Sequence, residues 1–93
     1  GDIDLDPASS DKANEEVNAT VYFTKDDDGL NKEWWGRVYL NPPYGNEIPK
    51  WVSKINEEYE AGNLNQLILL VPSRTDTRWF RALKKYPRCF MHG

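Results

Sequence analysis

Leu67-Ile68-Leu69-Leu70-Val71 is an apolar run with no polar position to turn toward water. From Gln66 to Val71 the pattern fits a strand buried on both faces, which occurs where helices cover both sides of a mainly parallel sheet. Residues on either side supply the pieces of such a sheet. Ile3 and Leu5 alternate with aspartates and stop at Pro7, as a strand running into a loop does. Thr20 to Thr24 is β-branched and aromatic, a second strand, and Asp26-Asp27-Asp28-Gly29 then makes a turn. Arg37-Val38-Tyr39-Leu40 is a third strand, ended by Asn41-Pro42-Pro43 because neither proline donates to a ladder.

Helical patterns separate these strands. A short polar helix is expected from about Asp11 to Val17, capped by Ser9 or Ser10. Ile48, Trp51, Val52, Ile55 and Tyr59 recur at helical spacing, so an amphipathic helix should run from about Ile48 to Ala61, with Pro49 in its first turn and Gly62 at its end. Trp79, Phe80 and Leu83 mark another helix, with Thr75 or Asp76 placed to cap it, and Arg88 to Met91 begins a last strand. Alternation of strand and helix predicts a single α/β domain over residues 1–93, a mainly parallel sheet flanked by helices. Function in such a sheet sits beyond the carboxyl ends of the strands. Three polar loops fall there: Asp6-Pro7-Ala8-Ser9, Asn41 to Gly45, and Pro72-Ser73-Arg74.

Composition narrows the chemistry. One cysteine, Cys89, and one histidine, His92, exclude an internal disulfide and give no zinc cluster, so no metal is expected and the chain suits a reducing cytoplasm. No run reaches membrane-spanning length, and nothing suggests an obligate protein partner. Net charge is −3, yet the charges are segregated. Acids outnumber bases ten to four from Gly1 to Asn46, whereas Arg74 to Arg88 holds six basic residues and one acid. A solvated helix face and a polar loop are the simpler account of that basic stretch, and its charge permits DNA without requiring it.

Asn41-Pro42-Pro43-Tyr44 at a strand end is the sharpest chemical signal. As structure alone it is loop punctuation, with Tyr44 covering the core. As chemistry, each position has a task. An exocyclic amine conjugated to a base is a poor nucleophile, and two acceptors aimed at its hydrogens favour a more tetrahedral nitrogen. The Asn41 side-chain oxygen and the Pro42 carbonyl supply such acceptors, the latter held outward by fixed proline backbone. Tyr44 offers a flat face to a base taken out of the duplex. Positioning and electrostatics then prepare the amine for in-line attack on a methyl sulfonium, with no catalytic histidine required.

Over nearly all its length the chain resembles the phage-type DNA N-6-adenine methyltransferase (Dam) family. The residues that carry the likeness are Asp4-Leu5-Asp6-Pro7-Ala8-Ser9, Ala13-Asn14, Tyr22-Phe23-Thr24, Asp28-Gly29-Leu30, Trp35, Asn41-Pro42-Pro43-Tyr44-Gly45, Trp51, and Val71 to Thr77 with Trp79-Phe80. The resemblance implies a Rossmann-like methyltransferase fold, S-adenosylmethionine as methyl donor and adenine-N6 in double-stranded DNA as acceptor. It also implies a phage or prophage origin, a bacterial host cytoplasm and a chain incomplete at both ends. Asp6-Pro7-Ala8-Ser9 looks like the loop that meets the cofactor in amino-methyltransferases, with Asp6 as the acid for the ribose hydroxyls and Asp4 and Asp28 as further candidates. For Asp28 a plain Asp-Gly turn is an equal explanation. DNA contacts are expected from Ser73, Arg74, Thr75 and Arg78, with Arg74 on a phosphate. Capping the next helix is the simpler account for Thr75 or Asp76, and Trp34, Trp35 and Trp51 are expected mainly as packing.

Two other functions fit the same residues. Asn-Pro-Pro-Tyr also serves enzymes that methylate protein glutamine or RNA bases, from which Val71 to Thr77 with Trp79-Phe80 distinguishes this chain. A noncatalytic DNA-binding fragment of the same fold would keep the basic stretch and bind no cofactor.

Overall fold

Strands β1 (Leu5–Asp6), β2 (Val21–Tyr22), β3 (Gly36–Leu40), β4 (Leu64–Leu70) and β5 (Cys89–His92) pair in parallel throughout, in the order β2-β1-β3-β4-β5. This computed structural model describes residues 2–43, 46–71 and 77–92. From β1 the chain moves one way to β2, then crosses back over β1 to reach β3 and continues to β4 and β5. Right-handed crossovers made in opposite directions fall on opposite faces of a sheet. The strand order therefore reverses between β1 and β3, and a crevice opens there at the carboxyl ends.

Helix α1 (Asp11–Val17) starts where Ser10 accepts a hydrogen bond from the Ala13 N–H at 3.0 Å. It stops at Asn18, which adopts a left-handed conformation at φ 56° and donates to the Asn14 carbonyl. None of its residues is fully buried, so it covers its face of the sheet thinly. Helix α2 (Ile48–Glu60) covers the other face. Pro49 sits in its first turn, where a missing N–H costs nothing. At its end Gly62 takes φ 78°, its N–H bonds the Tyr59 carbonyl, and the Asn63 N–H reaches the Glu58 carbonyl. That closure needs a residue free to turn left-handed, which is why glycine stands there.

Ile48, Trp51, Val52 and Ile55 pack onto Leu5, Val38, Leu40, Leu67 and Leu69, the inward positions of β1, β3 and β4. Trp34 stacks on Trp51 with ring centres 6.1 Å apart and planes tilted by 27°, and its indole N–H donates to the Gly29 carbonyl at 2.9 Å. Tyr59 stacks on Tyr86 at 4.2 Å, joining α2 to the segment before β5.

The structure corrects two expectations. Strand β4 is fully buried on one face only: Leu67 and Leu69 are sealed under α2, while Ile68 and Leu70 are half-buried. Across the sheet Ile68 stands in register with half-buried Tyr39 and exposed Phe90, because α1 is the one helix on that face among the described residues. The segment Thr77–Lys85 is a 3₁₀ helix rather than an α-helix. Phe80 and Leu83, three residues apart, are its buried contacts, and in a 3₁₀ helix residues at that spacing eclipse one another. Its expected caps, Thr75 and Asp76, lie outside the described residues.

Candidate active site

Three loops meet at the reversal point. After β1, the Asp6 carboxylate is 2% exposed and accepts from the Ala8 N–H at 3.2 Å, which folds Pro7-Ala8-Ser9 into a tight turn. Ser9 N–H bonds the Phe23 carbonyl and Phe23 N–H the Asp6 carbonyl, tying this turn to the loop after β2. There the Asp27 carboxylate closes back on the start of a short 3₁₀ turn (Lys25–Asp27), accepting from the Thr24 N–H at 2.8 Å and the Thr24 hydroxyl at 3.1 Å. A second turn, Gly29–Asn31, follows Asp28, which is left-handed at φ 58°. Gly29 presses against the Pro7 backbone so closely that a Cβ would collide with the Pro7 carbonyl oxygen. Only glycine allows that approach.

A cavity of about 520 Å³ lies among these loops. Pro7, Ala8 and Ser9 form one wall, Asp28 and Leu30 another, and Pro43 and Trp51 bring in the loop after β3 and the helix behind it. The volume suits a nucleoside-sized ligand. Trp51 is 5% exposed, and its indole N–H has no acceptor among the described residues, an uncompensated donor in the lining of a cleft. A larger, more open groove of about 680 Å³ adjoins it, sharing Asp28, Leu30 and Glu47 and running along α2 past Lys50, Ser53 and Glu57. That groove lies over the outer side of the helix rather than at the strand ends, so the smaller cavity is the better candidate.

The expected site residues do not all lie together. Pro7, Ala8, Asp28 and Pro43 line the cavity. Asn41 follows β3 directly and is exposed, while Pro42 is buried and anchors the turn. Asp6 lies beneath the lining and organises it. Asp4 has another task, since its carboxylate accepts the Arg37 N–H at 2.9 Å at the start of β3, away from the cavity. Tyr44, Ser73, Arg74 and Thr75 lie outside the described residues, and Arg78 is exposed on the 3₁₀ helix. Among the described residues no group of three or more His, Cys, Asp or Glu is placed to hold a metal ion.

Sequence reasoning missed Gly29 and Leu30 as lining residues and treated Trp51 as packing. For Gly29 the available signal was the Asp-Gly pair itself, which fixes a turn whose close approach to Pro7 only the fold reveals. Trp51 carried no signal, because an indole that packs and one that also offers a donor have the same helical spacing.

Burial pushes the Asp6 carboxyl above its ordinary value of 3.8, against the opposing pull of the Ala8 N–H and the Ser9 hydroxyl. The folded state therefore holds a proton more tightly than the unfolded chain, and stability falls as pH rises from 3.8 through the raised value. At neutral pH the buried charge is a cost. Asp6→Asn keeps an oxygen for the Ala8 N–H and removes the charge, so it should melt a few degrees higher at neutral pH. The advantage should shrink as pH is lowered toward 3.8. Thermal melts of both proteins across that range test this, and a pH-independent loss of stability in Asp6→Asn would refute it.

The family model for DNA N-6-adenine-methyltransferase (Dam) matches residues 1–89. No curated protein and no solved structure matches the chain.

Proposed function

The chain belongs to the DNA N-6-adenine-methyltransferase (Dam) family, and on that premise we propose that it transfers a methyl group from S-adenosylmethionine to the N6 amine of an adenine flipped out of double-stranded DNA. The observation that carries this reading is the Asn41-Pro42-Pro43 turn, which leaves the central strand β3 beside β1, with Pro43 in the wall of a nucleoside-sized cavity. The donor would occupy that cavity, held between Pro7-Ala8-Ser9 and Asp28, and when bound it supplies an electrophilic methyl on a sulfonium. Asp28 is placed for the ribose hydroxyls, because it is exposed and lines the cavity, as Glu47 also does, whereas Asp6 is buried beneath it.

The chain's own contribution is orientation and polarity. The Asn41 side-chain oxygen and the Pro42 carbonyl accept from the target amine, drawing its lone pair out of conjugation toward the donor. Tyr44 stacks on the extruded base. Ser73, Arg74 and Thr75 contact DNA at the rim, Arg74 on a phosphate.

The test is to incubate the protein with methyl-labelled S-adenosylmethionine and duplex DNA, digest the DNA and identify the labelled nucleoside. N6-methyladenosine is expected. Label found only in protein glutamine or RNA, supplied in parallel, would replace the substrate, and no saturable binding of the donor would leave the noncatalytic alternative.

A further inference from the structure

In an α-helix, Arg78, Arg81 and Lys84 would wind around the surface, since residues three apart are rotated relative to one another. In the observed 3₁₀ helix residues three apart eclipse, and each step advances about 6 Å. Three rows result. Phe80 and Leu83 form one row that enters the core, Trp79, Ala82 and Lys85 form a second, and Arg78, Arg81 and Lys84 form a third that is exposed along its length. Between Thr77 and His92 there is no aspartate or glutamate at all, in a chain whose net charge is −3. Lys85 is engaged, 3.6 Å from the Glu60 carboxylate and 5.1 Å from the Tyr86 ring. Arg81 and Lys84 have no such partner among the described residues.

We infer that Arg78, Arg81 and Lys84 form a straight cationic rail that lies along the sugar-phosphate backbone of the DNA substrate. The step along the row is of the same order as the spacing of successive phosphates on one strand. The helix follows β4, so its start lies at the carboxyl edge of the sheet where the candidate site is, and its axis leads away from that edge over about 18 Å. A backbone laid on this rail is steered by charge toward a basic face of an acidic molecule. The contact positions the duplex and carries no sequence information. This inference rests on DNA being the substrate.

Arg81→Gln/Lys84→Gln in the full chain is the test, with Lys12→Gln/Lys32→Gln as a control that removes the same charge elsewhere. Duplex affinity is measured by fluorescence anisotropy over a range of salt, and S-adenosylhomocysteine affinity and melting temperature in parallel. The rail variant should lower the slope of log affinity against log salt by roughly 2, equally for target and nontarget duplexes. It should raise KM for DNA with kcat unchanged and leave S-adenosylhomocysteine binding intact. The control should leave the slope unaltered. An unchanged slope in the rail variant, or an equal drop in the control, would overturn the rail. Wild-type chain that binds duplex in this way yet transfers no label to DNA would refute the methyl-transfer reading and leave the rail standing.

Discussion

Asn41→Ala is expected to slow single-turnover methyl transfer about 10²–10³-fold, the range found when one well-placed polar group is removed from a reacting centre. Affinity for S-adenosylhomocysteine should stay near the wild-type value, because Asn41 is exposed past the end of β3 and does not line the cavity proposed for the donor. Pro42 is buried and Pro43 packs against the cavity, so the turn keeps its shape without the Asn41 amide. Tyr44→Ala should behave differently, weakening capture of the flipped base and regaining part of its activity on mismatched targets that extrude more readily. Rapid-quench rates with donor and DNA both saturating distinguish the two. Near-normal single-turnover rates in Asn41→Ala would reduce the turn to a wall of the pocket.

Trp34→Ala is expected to have the largest effect on folding, about 3–5 kcal/mol. Trp34 is 1% exposed, stacks on Trp51, donates to Gly29 and has the Lys54 ammonium 5.7 Å from its ring. A domain of this length has about 5–14 kcal/mol in total, so the variant should lose between about a fifth and all of its stability. Trp34→Phe keeps an aromatic surface against Trp51 and loses the N–H to Gly29, and should cost about 1–2 kcal/mol. Urea denaturation followed by circular dichroism measures both. A loss below about 1 kcal/mol for alanine would show that the ring is dispensable to the core.

Helix α2 was legible almost to the residue, because Pro49, the spacing of Ile48, Trp51, Val52 and Ile55, and Gly62 all point to the same boundaries. Helix α1 was equally plain, with its cap narrowed to Ser9 or Ser10, of which Ser10 accepts the bond. The strands were placed by composition and by the prolines that end β1 and β3. Their order was beyond reach, since pairing β1 with both β2 and β3 depends on contacts between distant residues. The apolar run of β4 suggested cover on both faces, and no local pattern records that among the described residues α1 is the one helix on the second. The 3₁₀ form of Thr77–Lys85 escaped for a similar reason: apolar residues three apart satisfy either helix. In the site, Asn41 and the Pro7-Ala8 turn were readable from their loops. The true position of Asp4 was not, because an aspartate beside a strand end gives no sign that a neighbouring strand's N–H has claimed it.

The sheet is unequal across its reversal point. On one side β3 and β4 share a long ladder continued into β5, while on the other β1 and β2 have two residues each and the loops that would hold the donor. Amide exchange should follow that asymmetry, with Val38 to Leu40 and Leu67 to Leu69 the last to exchange and Val21 and Tyr22 among the first. A ligand seated between Pro7-Ala8-Ser9 and Asp28 would bridge the weaker edge to the core, adding stability where the bare chain has least. Donor occupancy would then be felt as order: a local opening equilibrium that closes as the methyl donor rises and loosens as it is spent.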